Sequence, residues 1–189
     1  MLFKDFLFWQ SKTDYLALFQ KNAFSRRLLV ILNYLIWLFL FLVSFLLIKK
    51  DFNIFWQILI ATLVSELVEK IIKAKVYWKR PMFEKHQKTP SGLVSSWYNS
   101  GSFPSGHTLK TTFFFLFLLQ YSLFSPLLYL LVTLPLLLFR VLVGFHYPID
   151  ILGGLLLGFA TWFFTSQIHA PEALSLPFSQ IFNTIFFLN

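Results

Sequence analysis

Residues 28–48 form a run of 21 residues without a charged side chain, interrupted by polar groups only at Asn33 and Ser44. About 20 consecutive apolar residues cross the hydrocarbon core of a bilayer as a helix, so this run predicts a transmembrane helix. The rest of the chain has the same character. Hydrophobic residues make up 57% of its 189 residues and charged residues 13%, with a mean hydropathy of +0.69. A soluble domain averages about 45–50% apolar and about 25% charged. The composition therefore excludes a disordered chain, a coiled coil and an ordinary cytosolic globule. The expected fold is all-α: a polytopic transmembrane helix bundle, one integral-membrane domain over residues 1–189. The chain has no cysteine, which excludes disulfides, thiolate metal sites and a cysteine nucleophile. Its net charge of +8 favours anionic lipid headgroups or phosphates over nucleic acid as partners.

Residues 49–53 read as a tight turn, and a second span runs from about 54 to 73. Its later half carries Glu66, Glu69, Lys70 and Lys73, and charges within a span normally face the bundle interior or a watery cavity. Residues 74–106 are polar and long enough for a functional loop. No charge appears from Thr111 to Phe139, and Ser125-Pro126 divides that stretch into spans at about 107–124 and 126–143. A fifth span covers about 149–168 and contains Gly154-x-x-x-Gly158, a pattern that permits close helix packing. Residues 1–26 mix Phe, Trp and Leu with charges, as an interfacial amphipathic helix does, and 177–188 read as a second interfacial piece.

Five spans bring three polar sets to one face of the membrane: Lys73 with Arg80-Pro81, Pro104-Ser105-Gly106-His107, and Arg140 with His146 and Asp150. Each set has a structural reading when taken alone. Lys73 and Arg80 can anchor the interface, Ser105 can cap a helix, and a His–Asp pair is usually structural. Together they match phosphate chemistry. A helix N-terminus at Ser105 and Gly106 offers free N–H groups to an anion. A carboxylate on one imidazole nitrogen fixes the tautomer and raises the basicity of the other, so His146 oriented by Asp150 can attack phosphorus. His107 can protonate a departing oxygen, and the cations can stabilise the transferring phosphoryl group. No Asp/Glu/His cluster has magnesium or zinc spacing, so neither a metal nor another cofactor is expected.

Lys73-(six residues)-Arg80-Pro81, then Pro104-Ser105-Gly106-His107, then Arg140-(five residues)-His146-(three residues)-Asp150 resembles the three-part signature of the type 2 phosphatidic acid phosphatase superfamily. The resemblance covers 73–150 in order and spacing. It implies a metal-independent enzyme working through a phosphohistidine, with His146 as nucleophile, Asp150 as its orienting carboxylate and His107 as general acid. Lys73, Arg80, Ser105, Gly106 and Arg140 would bind the phosphate. The third motif usually has serine before its arginine, and here Phe139 stands there, so one hydroxyl contact is missing. The family commonly has six spans; the first either corresponds to the N-terminal amphipathic segment or is absent.

The expected partners are a phosphorylated lipid and the bilayer, and the sequence carries no signal of oligomeric state. Undecaprenyl diphosphate is favoured as substrate, because Lys75, Lys79, Lys85 and Lys88 suit a doubly phosphorylated headgroup. Phosphatidylglycerophosphate, phosphatidic acid and a lipid A phosphate are the alternatives, as is lipid phosphotransfer. A lipid-binding scaffold or transporter subunit is the non-enzyme alternative. The two cues to sidedness disagree. Lys49 and Lys50 lie on one face and the other 14 Lys and Arg on the site face, which the positive-inside rule makes cytoplasmic. The resemblance implies an outward-facing site in a bacterial inner membrane, and that placement is the expectation taken here.

Overall fold

The structure, a computed structural model, describes residues 3–169 and 171–186, and among them there are helices and loops but no strand. The helices are α1 (Phe3–Leu7), α2 (Tyr15–Gln20), α3 (Ala23–Lys50), α4 (Asn53–Ala74), α5 (Gly106–Tyr121), α6 (Pro126–Leu142), α7 (Pro148–Thr165) and α8 (Glu172–Phe186). Two 3-10 turns, Pro81–Glu84 and Ser95–Tyr98, interrupt the loop between α4 and α5. The five predicted spans correspond to α3 through α7, and the helical-bundle expectation holds. By length and composition α3 and α7 can cross a membrane, and α6 is a shorter apolar helix.

The side chain of Asn22 starts α3 by accepting from the backbone N–H of Ser25 at 2.8 Å. Its 28 residues extend about 42 Å, more than a hydrocarbon core needs. Leu29, Asn33, Ile36, Leu40, Val43 and Leu47 form its buried stripe, with the three-and-four spacing of a helix seam. Its other faces expose Ile31, Leu38, Phe41 and Leu42, as expected of a helix whose solvent is lipid. The bundle is built around α5, which packs on α3, α4, α6 and α7. Leu109, Phe113, Phe117 and Leu118 of α5 are fully buried. Ser122 ends this helix in the left-handed conformation, and Lys50 donates to the carbonyls of Tyr121 and Ser122 there.

The Gly154-x-x-x-Gly158 pattern performs the packing role expected of it. A Cβ at Gly154 would come within 2.8 Å of the Ser105 carbonyl oxygen, and one at Gly158 within 2.5 Å of the Leu109 carbonyl oxygen. Backbone lies directly against backbone, so no side chain can yield. Gly158→Leu is expected to push α7 from α5 and lower stability by about 1–3 kcal/mol or prevent assembly. A thermal or denaturant midpoint in detergent equal to the native one would contradict this.

The N-terminal segment is two short helices rather than one, and α3 begins at Ala23, three residues before the expected boundary at 26. They fold over the site end of the bundle. Leu16 is buried in a cluster with Leu29, Met82, Leu93, Val143 and Phe145, while Phe8 packs edge-on against Trp78 and Tyr147. At the other end of the bundle, α8 lays Phe178, Phe182 and Phe186 on Trp56, Phe52 and Phe45. The expected C-terminal piece runs to 188; residues 187–189, like 1–2, lie outside the described residues.

Candidate active site

Loop-to-loop hydrogen bonds assemble the site. Gly101 N–H donates to the Lys73 carbonyl at 3.1 Å and Ser102 N–H to the Trp78 carbonyl at 3.0 Å, which folds the long loop back onto the end of α4. Met82 N–H donates to the Gly144 carbonyl at 2.8 Å, tying the loop to the segment before α7. Gly144 has φ +82, and a Cβ there would also press on the Met82 backbone, so this turn favours glycine. Ser105 N–H donates to the Asp150 carbonyl at 2.9 Å and locks the start of α5 to the start of α7.

Pro148 opens α7 with His146 just outside the helix and Asp150 in its first turn. Asp150 Oδ2 accepts from the Tyr147 N–H at 2.8 Å and lies 3.3 Å from His146 Nδ1. Ser102 donates its hydroxyl to the same oxygen, and Trp78 Nε1 donates to Oδ1 at 2.9 Å. The carboxylate is thus a fully buried, immobilised acceptor behind the imidazole. Nδ1 faces Asp150, so Nε2 is the nitrogen left for the cavity that His146 lines. Burial, reinforced by Arg140, Arg80 and Lys73, holds His146 well below its ordinary pKa. The ring is therefore neutral at neutral pH, the form in which nitrogen can attack.

The cavity has a volume of about 150 Å³ and gathers Lys73, Arg80, Lys110, Arg140, His107 and His146 from three helices and two loops. Burial brings the Arg80 guanidinium down to about 10, against the raising pull of Asp150 and Glu69, and leaves it cationic at neutral pH. Two guanidiniums approach the Trp97 ring, Arg80 at 4.8 Å and Arg140 at 5.6 Å from its centre. Arg140 also donates to Asn33 Oδ1 at 2.6 Å. Arg80 Nε, Arg140 Nε and His107 Nε2 are buried without a hydrogen-bond partner among the described residues. An unsatisfied buried polar atom costs about 1–3 kcal/mol, and three around one cavity fit a ligand rich in acceptor oxygens. Among the described residues no group of three or more His, Cys, Asp or Glu could hold a metal ion.

The predicted site residues therefore converge, but in two layers. Lys73, Arg80, His107, Arg140 and His146 line the cavity. Asp150 and Ser105 stand behind them, fully buried. Ser105 Oγ caps α5, accepting from the Thr108 N–H at 3.4 Å and the Thr108 hydroxyl at 2.9 Å. Gly106 begins that helix directly beneath the Glu69 carboxylate, which a Cβ there would overlap. Of the extra lysines, Lys79 lies over Tyr98 and Lys85 donates to the Lys12 carbonyl, and none of Lys75, Lys79, Lys85 and Lys88 lines the cavity.

Sequence reasoning missed Lys110, Ser102, Trp78 and Trp97. Lys110 carried a usable signal, a lysine three residues after His107 in a helix with no Asp, Glu or Arg. Asn33 was visible as a polar break in the first span, but its partner Arg140 is 107 residues away. Phe139 points to the α2 side, packing edge-on against Phe19 and Phe145 at 5.6 and 6.3 Å. Phe139→Ser is thus expected to lower thermal stability while leaving kcat/KM within about tenfold, one neutral hydrogen bond contributing about 0.5–1.5 kcal/mol. A rise from near-zero to robust activity would show instead that the native site is degenerate.

A profile of the PAP2 superfamily matches residues 54–173, more than half of the chain, including every site residue predicted from the sequence. The chain belongs to the PAP2 superfamily. Members of this superfamily are phosphatases, so membership supports a phosphoester hydrolase acting on phosphorylated substrates. Together with the apolar helices it also supports association with a membrane. Comparisons with curated proteins and with solved structures give no significant match.

Proposed function

We propose that this PAP2 protein is a metal-independent phosphatase that removes phosphate from a membrane lipid through a phosphohistidine on His146. The observation that carries the reading is His146 itself: buried, held at Nδ1 by an immobilised carboxylate, and lining a cavity of four cations. In the first half-reaction Nε2 bonds to phosphorus as the phosphorus–oxygen bond to the lipid breaks, and His107 supplies the proton to that oxygen. Lys73, Arg80 and Arg140 hold the phosphoryl oxygens throughout, supplying the charge that a metal ion provides in other phosphatases. Water then attacks the phosphohistidine, giving up its proton to His107, and free phosphate and neutral His146 are restored.

A lipid is favoured because the cavity continues into an apolar groove. That groove, about 270 Å³, is lined by Leu40, Phe41, Ile58 and Phe114 and shares Trp37, Glu66 and Lys110 with the cavity. Undecaprenyl diphosphate is the substrate we place first. Its support is Lys73, Arg80 and Arg140 in the cavity together with Lys70 in the adjoining recess, rather than the loop lysines. By resemblance to the superfamily we place the site on the outward face of a bacterial inner membrane. Purified protein in detergent, given undecaprenyl diphosphate, phosphatidylglycerophosphate and phosphatidic acid in excess EDTA, is expected to release phosphate and to be inhibited by vanadate. Failure with every lipid, or loss with EDTA that magnesium restores, would refute the mechanism.

A further inference from the structure

Glu69 lies one helical turn before Lys73 on α4, and the three-part motif places no carboxylate there. It pairs with Lys73 and, 3.1 Å away, with the ammonium of Lys110. Lys110 is 3% exposed, sits 5.4 Å from the centre of the Trp37 ring and has a second partner in Glu66 at 2.8 Å. The Glu69 carboxylate also presses on the first residue of α5, where a Cβ on Gly106 would collide with both of its oxygens. It is thus an anion held between a phosphate-binding lysine and a helix N-terminus, two of the groups that the phosphatase reading reserves for phosphate. The pairing balances two ammonium groups that would be costly to leave uncompensated. It also conflicts with substrate, because a phosphate dianion and a carboxylate sharing Lys73 repel strongly in so confined a site.

We propose that Glu69 is an internal anionic competitor for the phosphate seat. Substrate phosphate displaces its carboxylate from Lys73, and Lys110 keeps hold of it. The proposal rests on the phosphatase reading of the site. In it Glu69 never touches the reacting atoms; it sets how strongly charged a headgroup must be to enter, and it speeds departure of inorganic phosphate by reclaiming Lys73. Lys110 makes displacement easier by offering the carboxylate somewhere to stay.

The test is the vanadate inhibition constant in a double-mutant cycle, with each variant's thermal midpoint recorded. Glu69→Gln, close to isosteric, is expected to tighten vanadate about tenfold, as loss of one like charge at contact distance allows; Glu69→Ala should act in the same direction. Lys110→Met is expected to weaken vanadate about fivefold in the native background, because Glu69 then leans on Lys73 alone, and to have little effect beside Glu69→Gln. Unchanged or weaker vanadate inhibition in both Glu69 variants would overturn the proposal, because Glu69 would then only be holding Lys73 in place. Equal weakening by Lys110→Met in both backgrounds would make Lys110 a direct phosphate ligand and overturn its part. Phosphate release by the native protein tests the phosphatase reading separately, and vanadate binding by calorimetry carries the cycle even in a protein without turnover.

Discussion

His146→Ala is expected to reduce phosphate release to background and to remove the covalent intermediate. Native protein quenched within a single turnover of a labelled lipid phosphate should carry label that is labile in acid and stable in base, as a phosphorus–nitrogen bond is. The expectation follows from geometry. Nδ1 faces Asp150 at 3.3 Å and the Ser102 hydroxyl at 3.4 Å, the ring lines the cationic cavity, and no other imidazole lining it has a carboxylate behind it. His107, the other imidazole of the cavity, lies against the Trp37 ring, with centroids 4.6 Å apart, and in the proposed mechanism it gives a proton rather than being activated. His107→Ala should therefore slow departure of the lipid oxygen while still allowing some label to form. Near-native turnover in His146→Ala would show the phosphohistidine mechanism to be wrong for this chain.

Asp150→Asn is the second large effect, a loss of roughly 10³-fold in kcat with lipid binding retained, by analogy with triad carboxylates whose amide variants favour the wrong tautomer. Asp150 takes donors from the Tyr147 N–H, the Ser102 hydroxyl and Trp78 Nε1 while it faces His146. An amide nitrogen in that position would set donor against donor. The substitution should thus cost stability as well as rate, and Ser102→Ala separates the two effects. It removes one donor and leaves the charge, so it should change kcat by only about tenfold. If Asp150→Asn stayed within about tenfold of native kcat, the carboxylate would be an architectural cap of α7 and not a positioning group for His146.

Much of this protein was legible without coordinates, for a definite reason. In a bilayer every backbone polar group must be satisfied within its own helix, so five apolar stretches translate directly into α3 through α7. On the five-span reading, alternating passes carry the ends of neighbouring helices to the same face. That topology, with the spacing of Lys73, Arg80, His107, Arg140, His146 and Asp150, was enough to predict one site. Gly154 and Gly158 were legible too, because a four-residue repeat of small side chains marks one helix face whatever packs on it.

What the sequence could not decide is which side chains complete the site, since each choice depends on partners distant along the chain. Asn33 meets Arg140 from 107 residues away, and Ser102 reaches Asp150 across 48. Trp97 comes within reach of two guanidiniums only because the loop between α4 and α5 folds back over the cavity. The same long-range packing turns Phe139 toward α2 and keeps Lys75, Lys79, Lys85 and Lys88 out of the cavity lining, although their linear positions suggest a place beside the phosphate. Hydrophobic length and turn position are local properties and can be read from the chain. The pairing of buried charges is a property of the closed bundle, because each ion's partner is whichever opposite charge or ring the packing of other helices leaves within a few ångströms.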